Sequence, residues 1–80
     1  MGKENHIGLV GLKKLRRARG FSQLKVAMDL NISREAISYY ESGKRNPDLQ
    51  MLLALSDYFR VSVDYLITGE ERSFPERKKE

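Results

Sequence analysis

The chain has 80 residues, a formal net charge of +4 and no cysteine. That length allows one small domain, and the lack of cysteine excludes disulfide scaffolds and thiolate metal sites, as suits a reducing cytosol. The excess of Lys and Arg, with a pI near 9.6, favours a polyanionic partner. No apolar run approaches the ~20 residues of a membrane-spanning helix. The opening "MGKENHIGLV" lacks the apolar stretch of a secretory signal. Asn5 and His6 stand where an acylation signal needs a hydroxyl residue.

Helical spacing of apolar residues dominates the chain. Leu12 and Leu15, flanked by Leu9 and Ala18, predict a first helix from about Leu9 to Arg19, with Gly20 as its left-handed end. It is crowded with Lys13, Lys14, Arg16, Arg17 and Arg19. Ser22 suits the cap of a second helix with Val26, Ala27 and Leu30 as its buried set. Asn31 tolerates a positive φ, so Leu30–Asn31–Ile32 predicts a tight turn. Ser33 then caps a third helix to about Glu41 or Ser42, which Gly43 stops. Asp48 caps a fourth, with Leu49, Leu52, Leu55 and Phe59 as the expected buried stripe. Ser62 caps a short fifth helix through Tyr65, Leu66 and Ile67, closed by Gly69. The last residues, "EERSFPERKKE", are charged and broken by proline, and predict a frayed tail.

The third helix raises the question of function. Ile37 and Tyr40 share its apolar face, while Arg34, Glu35, Ser38 and Tyr39 lie between, each able to hydrogen bond and none needed for a core. Lys44, Arg45 and Asn46 follow at once in a basic loop, whereas Asp57, Asp64, Glu70 and Glu71 gather later. Such polarity gives the molecule one face for an anion. The small Ala27, the turn residue Asn31 and the anchor Ile37 meet the needs of two helices that cross steeply around a tight bend.

From "LKKLRRARGFSQ" through "SREAISYYESGKRNP" to "RVSVDYLITG", the chain resembles the Xre-type (phage-repressor and Cro-like) helix-turn-helix regulators over Leu9 to Gly69. The resemblance implies a compact all-α, five-helix, lambda-repressor-like domain at 9–69, between an arm at 1–8 and a charged tail at 70–80. It places the helix-turn-helix at the second and third helices, and sends Ser33–Glu41 into the major groove of double-stranded DNA. Arg34, Glu35, Ser38 and Tyr39 are then the base-reading candidates, and Gln23, Ser33, Lys44 and Asn46 the phosphate contacts. Arg16 and Glu41 match a structural pair of the family, with the other cations of the first helix adding only a long-range field. Pairing into a homodimer on a two-fold operator would use Pro47, Tyr65 and Ile67.

The chemistry of these residues agrees. Arginine binds guanine O6 and N7 together, glutamate accepts from cytosine N4, and helix N-termini suit phosphate. The expected function is a sequence-specific, cytoplasmic transcriptional regulator, a repressor by resemblance, with no cofactor, metal, small-molecule substrate or membrane. The alternative is an antitoxin-like or adaptor protein whose main contact is a protein partner. Its contact would use Leu24 and Met28, which lie one helical turn apart where the family carries polar residues and offer an apolar patch to the N-terminal arm, a partner or a second subunit. Lys25 replaces a more usual glutamate, and Arg60 stands where glycine or asparagine is common, which predicts a strained positive φ. An enzyme is disfavoured: the lone His6 lies outside the expected domain, and there is no glycine-rich phosphate loop. RNA binding is disfavoured for want of an aromatic platform on a sheet.

Overall fold

The computed structural model describes residues 7–71. His6 and most of the expected tail lie outside the described residues. Five α-helices follow one another: α1 (Val10–Ala18), α2 (Gln23–Leu30), α3 (Arg34–Ser42), α4 (Leu49–Phe59) and α5 (Val63–Thr68). No strand occurs among the described residues.

The helix starts follow from side-chain caps. Ser22, Ser33, Asp48 and Ser62 each accept a hydrogen bond from the backbone N–H three positions on, at Lys25, Ala36, Met51 and Tyr65, over 2.8–3.0 Å. Each cap satisfies one of the donors that a helix leaves free at its start. The helix ends follow from left-handed residues. Asn31 has φ 61°, Gly43 86°, Arg60 61° and Gly69 75°. Arg60 has neither the freedom of glycine nor the local hydrogen bonding of asparagine, so its left-handed backbone carries strain.

Leu12, Val26, Ile37, Leu55, Phe59 and Leu66 are fully buried and form the core with Leu9 and Ala27. The expected stripe on α4 needs one correction. Leu49 is 79% exposed, because it is the first residue of α4 and stands outside the residues packed on the core. The stripe begins instead at Met51 and Leu52.

α1 packs on α3 and α5, α2 on α3, and α4 on α5. At the α1–α5 crossing Gly11 allows close approach: a Cβ there would lie 1.8 Å from the Tyr65 carbonyl oxygen. The cations of α1 do more than create a field. Arg19 donates from Nη2 to the Phe59 carbonyl at 2.9 Å and stacks its guanidinium 5.3 Å from the Phe59 ring. Lys14 donates from Nζ to the Gly69 carbonyl at 3.0 Å. Both satisfy carbonyls at the ends of distant helices, where a positive charge also suits the helix dipole.

Tyr58 ties α4 to α2 by donating its hydroxyl to Asp29 at 2.5 Å, and Lys25 reaches the same carboxylate at 3.0 Å. The two hydrogen bonds hold the Asp29 carboxyl below its usual range, the one from Tyr58 more strongly than the one from Lys25. Burial first, and donation to Asp29 second, push the Tyr58 hydroxyl up to about 12. No helix among the described residues is long and apolar enough to cross a membrane.

Candidate nucleic-acid interface

The outward face of α3 is held from three directions. At its start, Ser33 caps the Ala36 N–H at 3.0 Å. On its inner side, Ala36 and Ile37 are buried and Tyr40 packs against the core. At its end, the N-terminal segment crosses it: the Leu9 N–H donates to the Tyr40 carbonyl at 2.9 Å. Gly8 lies so close that a Cβ would be 2.0 Å from the Glu41 carbonyl oxygen. What remains outward is Arg34 and Glu35, both exposed, with Ser38 and Tyr39 half-buried one turn on. Glu35 sits in the first turn, where a carboxylate suits the positive end of the helix dipole.

Behind that face runs a chain of polar contacts. Arg16 meets Glu41 at two points, Nε to Oε2 at 2.6 Å and Nη2 to Oε1 at 3.1 Å, and its Nη1 donates to the Phe21 carbonyl at 2.8 Å. The Glu41 side chain is only 4% exposed. Gln23, just inside the start of α2, donates from Nε2 to Glu41 Oε1 at 3.1 Å. Its other end, Oε1, accepts from Arg34 Nη1 at 3.3 Å. Glu41 therefore sets which way the Gln23 amide faces, and the amide oxygen then steers the Arg34 guanidinium.

The loop after α3 folds back on the helix. The Tyr39 carbonyl accepts from the backbone N–H of Gly43 at 2.9 Å and of Arg45 at 3.3 Å. Lys44 and Arg45 lie over the Tyr39 ring, 5.0 and 5.3 Å from its centroid. Lys44, Arg45 and Asn46 are exposed. An anion approaching the outward face of α3 thus meets Arg34 at one end and this basic loop at the other.

The helix-turn-helix family profile matches residues 12–66.

The chain belongs to the helix-turn-helix family.

Its Xre-type, lambda-repressor-like domain is similar to those of several curated proteins. One is the SPbeta prophage-derived uncharacterized HTH-type transcriptional regulator YonR of Bacillus subtilis (strain 168), 43% identical over 63 residues, which are 79% of this chain and 58% of the relative. Another is the HTH-type transcriptional activator BcrR of Enterococcus faecalis, 42% identical over 60 residues, 75% of this chain and 29% of the relative. A third is the HTH-type transcriptional regulator ImmR of Bacillus subtilis (strain 168), 42% identical over 62 residues, 78% and 49%. The chain spans about half the length of these relatives, or less.

Within this helix-turn-helix domain, the residues singled out from sequence fall in two places. Gln23, Ser33, Arg34, Glu35, Ser38, Tyr39 and Lys44 lie along the outward side of α3 and its two flanks, with Arg16 and Glu41 behind them. Asn46 lies at the boundary with the second place, a shallow apolar groove of about 330 Å³ lined by Ile7, Leu9, Asn46, Pro47, Leu52 and Ile67. Pro47 and Ile67 thus share one surface, whereas Tyr65 is half-buried in α5 and does not line it. Leu24 and Met28 are 52% and 69% exposed on α2. Of the expected arm, the described Ile7 lines the groove and Gly8 lies against the Glu41 carbonyl at the end of α3, away from that pair.

Sequence reasoning did not assign Arg45 to the site, nor the contacts that join Gln23 to Glu41 and Arg34. The adjacent Lys44 and Arg45, shortly beyond an aromatic, were the available signal for the first. The second depends on which end of an amide turns inward, and no sequence pattern carries that.

Proposed function

We propose that this domain binds a specific double-stranded DNA site, reading base edges in the major groove with α3 and gripping phosphates on either side, and that it regulates transcription from that site. It acts as a binding protein and not as an enzyme, in the cytoplasm where the DNA of its bacterial relatives resides. The observation that carries the reading is Arg34, exposed at the start of a helix held on its other sides and steered by Gln23. An arginine so placed suits two-point contact with guanine. Glu35 and Ser38 complete the base-reading face. Gln23 has a second amide hydrogen for phosphate, the Ser33 hydroxyl still has its proton to donate, and Lys44 and Asn46 approach from the loop. Repression, by occupying a promoter, follows the phage-repressor resemblance. The name of the Enterococcus relative makes activation the other sign to test.

One α3 reads only a few base pairs, too few to select a genomic site. A two-fold dimer would place two copies of α3 one DNA turn apart, ~34 Å. Its contact surface would be the groove at Pro47 and Ile67, extended by Tyr65 and by the exposed Leu49 and Leu53 nearby on α4. Selection from random duplexes, followed by footprinting and stoichiometry on the selected site, tests both parts. Two protomers on a two-fold site are expected. One protomer on a site without symmetry would contradict the dimer, and no enriched sequence would contradict specific reading. Exposed Leu24 and Met28 favour a second contact with a protein partner. Their replacement by Gln should leave DNA affinity unchanged while abolishing such a contact.

A further inference from the structure

We propose that Tyr39 positions the basic loop for phosphate and does not read a base; its ring acts as the platform that holds both Lys44 and Arg45. The proposal rests on the DNA-binding reading above. Three observations carry it. Both cations lie within cation–π range of a single ring, Lys44 Nζ at 5.0 Å and Arg45 Cζ at 5.3 Å from the centroid. The Tyr39 carbonyl also receives the Gly43 and Arg45 N–H groups, and the Ser42 hydroxyl at 3.3 Å. The residue therefore fixes the loop through its backbone as well as its ring. Finally, the ion pairs between described residues are Arg16–Glu41 and Lys25–Asp29, so no carboxylate among the described residues pairs with either loop cation.

Two adjacent exposed cations would ordinarily repel and swing apart into solvent. The π-electrons of the ring attract each cation and keep both charges at the C-terminal end of α3. The same arrangement occupies the ring that would otherwise touch a thymine methyl. A pre-formed pair of charges engages the DNA backbone at less entropic cost than two free side chains. Because phosphate carries no base identity, the contribution of Tyr39 should be uniform across sequences.

The test compares Tyr39→Phe with Tyr39→Leu on a selected duplex and its single-base variants, over a salt series. Tyr39 lies outside the buried core, and leucine is a good helix former. Tyr39→Phe keeps the ring and should bind as the parent does. Tyr39→Leu should lose roughly fivefold or more in affinity, equally on every variant, with a log–log salt slope shallower by about 0.9 for each phosphate no longer neutralised. A double-mutant cycle with Lys44→Gln and Arg45→Gln should be strongly non-additive, since the leucine variant has already released those charges. In the free protein, NMR should show the side-chain methylene protons of Lys44 and Arg45 shifted upfield by the ring, and Tyr39→Leu should abolish the shift. A loss confined to one base position, or a Tyr39→Leu protein with parental affinity and slope, would overturn the proposal. A parent that binds no duplex would overturn the DNA reading itself. That outcome is distinct, because the ring shifts are read without DNA.

Discussion

Glu41 on α3 receives Arg16 of α1 at two points, with Nε to Oε2 at 2.6 Å and Nη2 to Oε1 at 3.1 Å, in a position where its side chain is 4% exposed. Losing one partner of a buried pair costs about 3–5 kcal/mol, because the other charge is left stranded. Arg16 would keep its bond to the Phe21 carbonyl, so Glu41→Ala should fall toward the lower figure. For a domain this small that lowers Tm by about 12 °C or more. Thermal unfolding by circular dichroism checks it. Glu41→Gln retains acceptor geometry and should lose less than Glu41→Ala. A Glu41→Ala protein melting with the parent would show that the pair does not hold α3.

Gly11→Ala tests the crossing of α1 and α5. The added methyl would meet a backbone carbonyl, at 1.8 Å from the Tyr65 oxygen, and a backbone cannot rotate aside as a flexible side chain can. Overpacking of this kind costs about 1–3 kcal/mol or more, which outweighs the gain of ~1 kcal/mol in helix propensity from glycine to alanine. The midpoint of urea unfolding should therefore move down. An upward move would mean that α5 yields easily.

The Tyr58–Asp29 bond predicts how stability depends on pH. Asp29 titrates below its ordinary value in the folded protein, so its contribution is present above the unfolded value and lost as pH falls through the folded one. Tyr58 is raised to about 12, so its contribution is present below the ordinary tyrosine range near 10 and lost as pH rises toward 12. Tyr58→Phe removes the tyrosine contribution and the larger hydrogen bond to Asp29, leaving the part that Lys25 supplies. The stability gap between parent and Tyr58→Phe should be constant near neutral pH and narrow at each extreme, as measured by denaturant midpoints from acid to alkaline pH. A gap that does not change with pH would mean the hydroxyl stabilises the fold without its proton-linked bond to Asp29.

Much of the fold was legible because its punctuation is chemical and local. Ser22, Ser33, Asp48 and Ser62 announce helix starts, and Asn31, Gly43 and Gly69 announce ends. Even the left-handed Arg60 was readable from where the family pattern places a freer residue. Leu49 was misread because periodicity places a residue on a helix face without saying how far along the helix that face is covered. Lys14 and Arg19 were read as a solvated field because their partners, Gly69 and Phe59, are 55 and 40 residues away. The role proposed for Tyr39 rests on three-dimensional neighbours, Lys44 and Arg45 against its ring, which helical periodicity does not reveal.

Arg34 and Gln23 should fail in different ways. Arg34→Ala should cost ~1–3 kcal/mol at one base position and relax the preference there. Gln23→Ala should weaken every sequence, because a donor to phosphate is gone and phosphate carries no base identity. It should also blur the Arg34 position in part, because the amide oxygen that steers the guanidinium goes with it. Competition assays on single-base variants separate the two. Equal losses on all variants for Arg34→Ala would remove it from base reading.

The central claim is that α3 and its flanking cations bind duplex DNA, and the most direct measurement is affinity for a selected duplex as a function of salt. Each phosphate neutralised contributes a log–log slope of about −0.9. Contacts from Gln23, Ser33, Lys44 and Asn46, with Arg45 exposed in the same loop, predict a steep fall in affinity between low and physiological salt. The selected sequence should retain its preference over unrelated DNA throughout. Affinity that stays flat across that range, or that does not distinguish the selected duplex from unrelated DNA, would contradict the account.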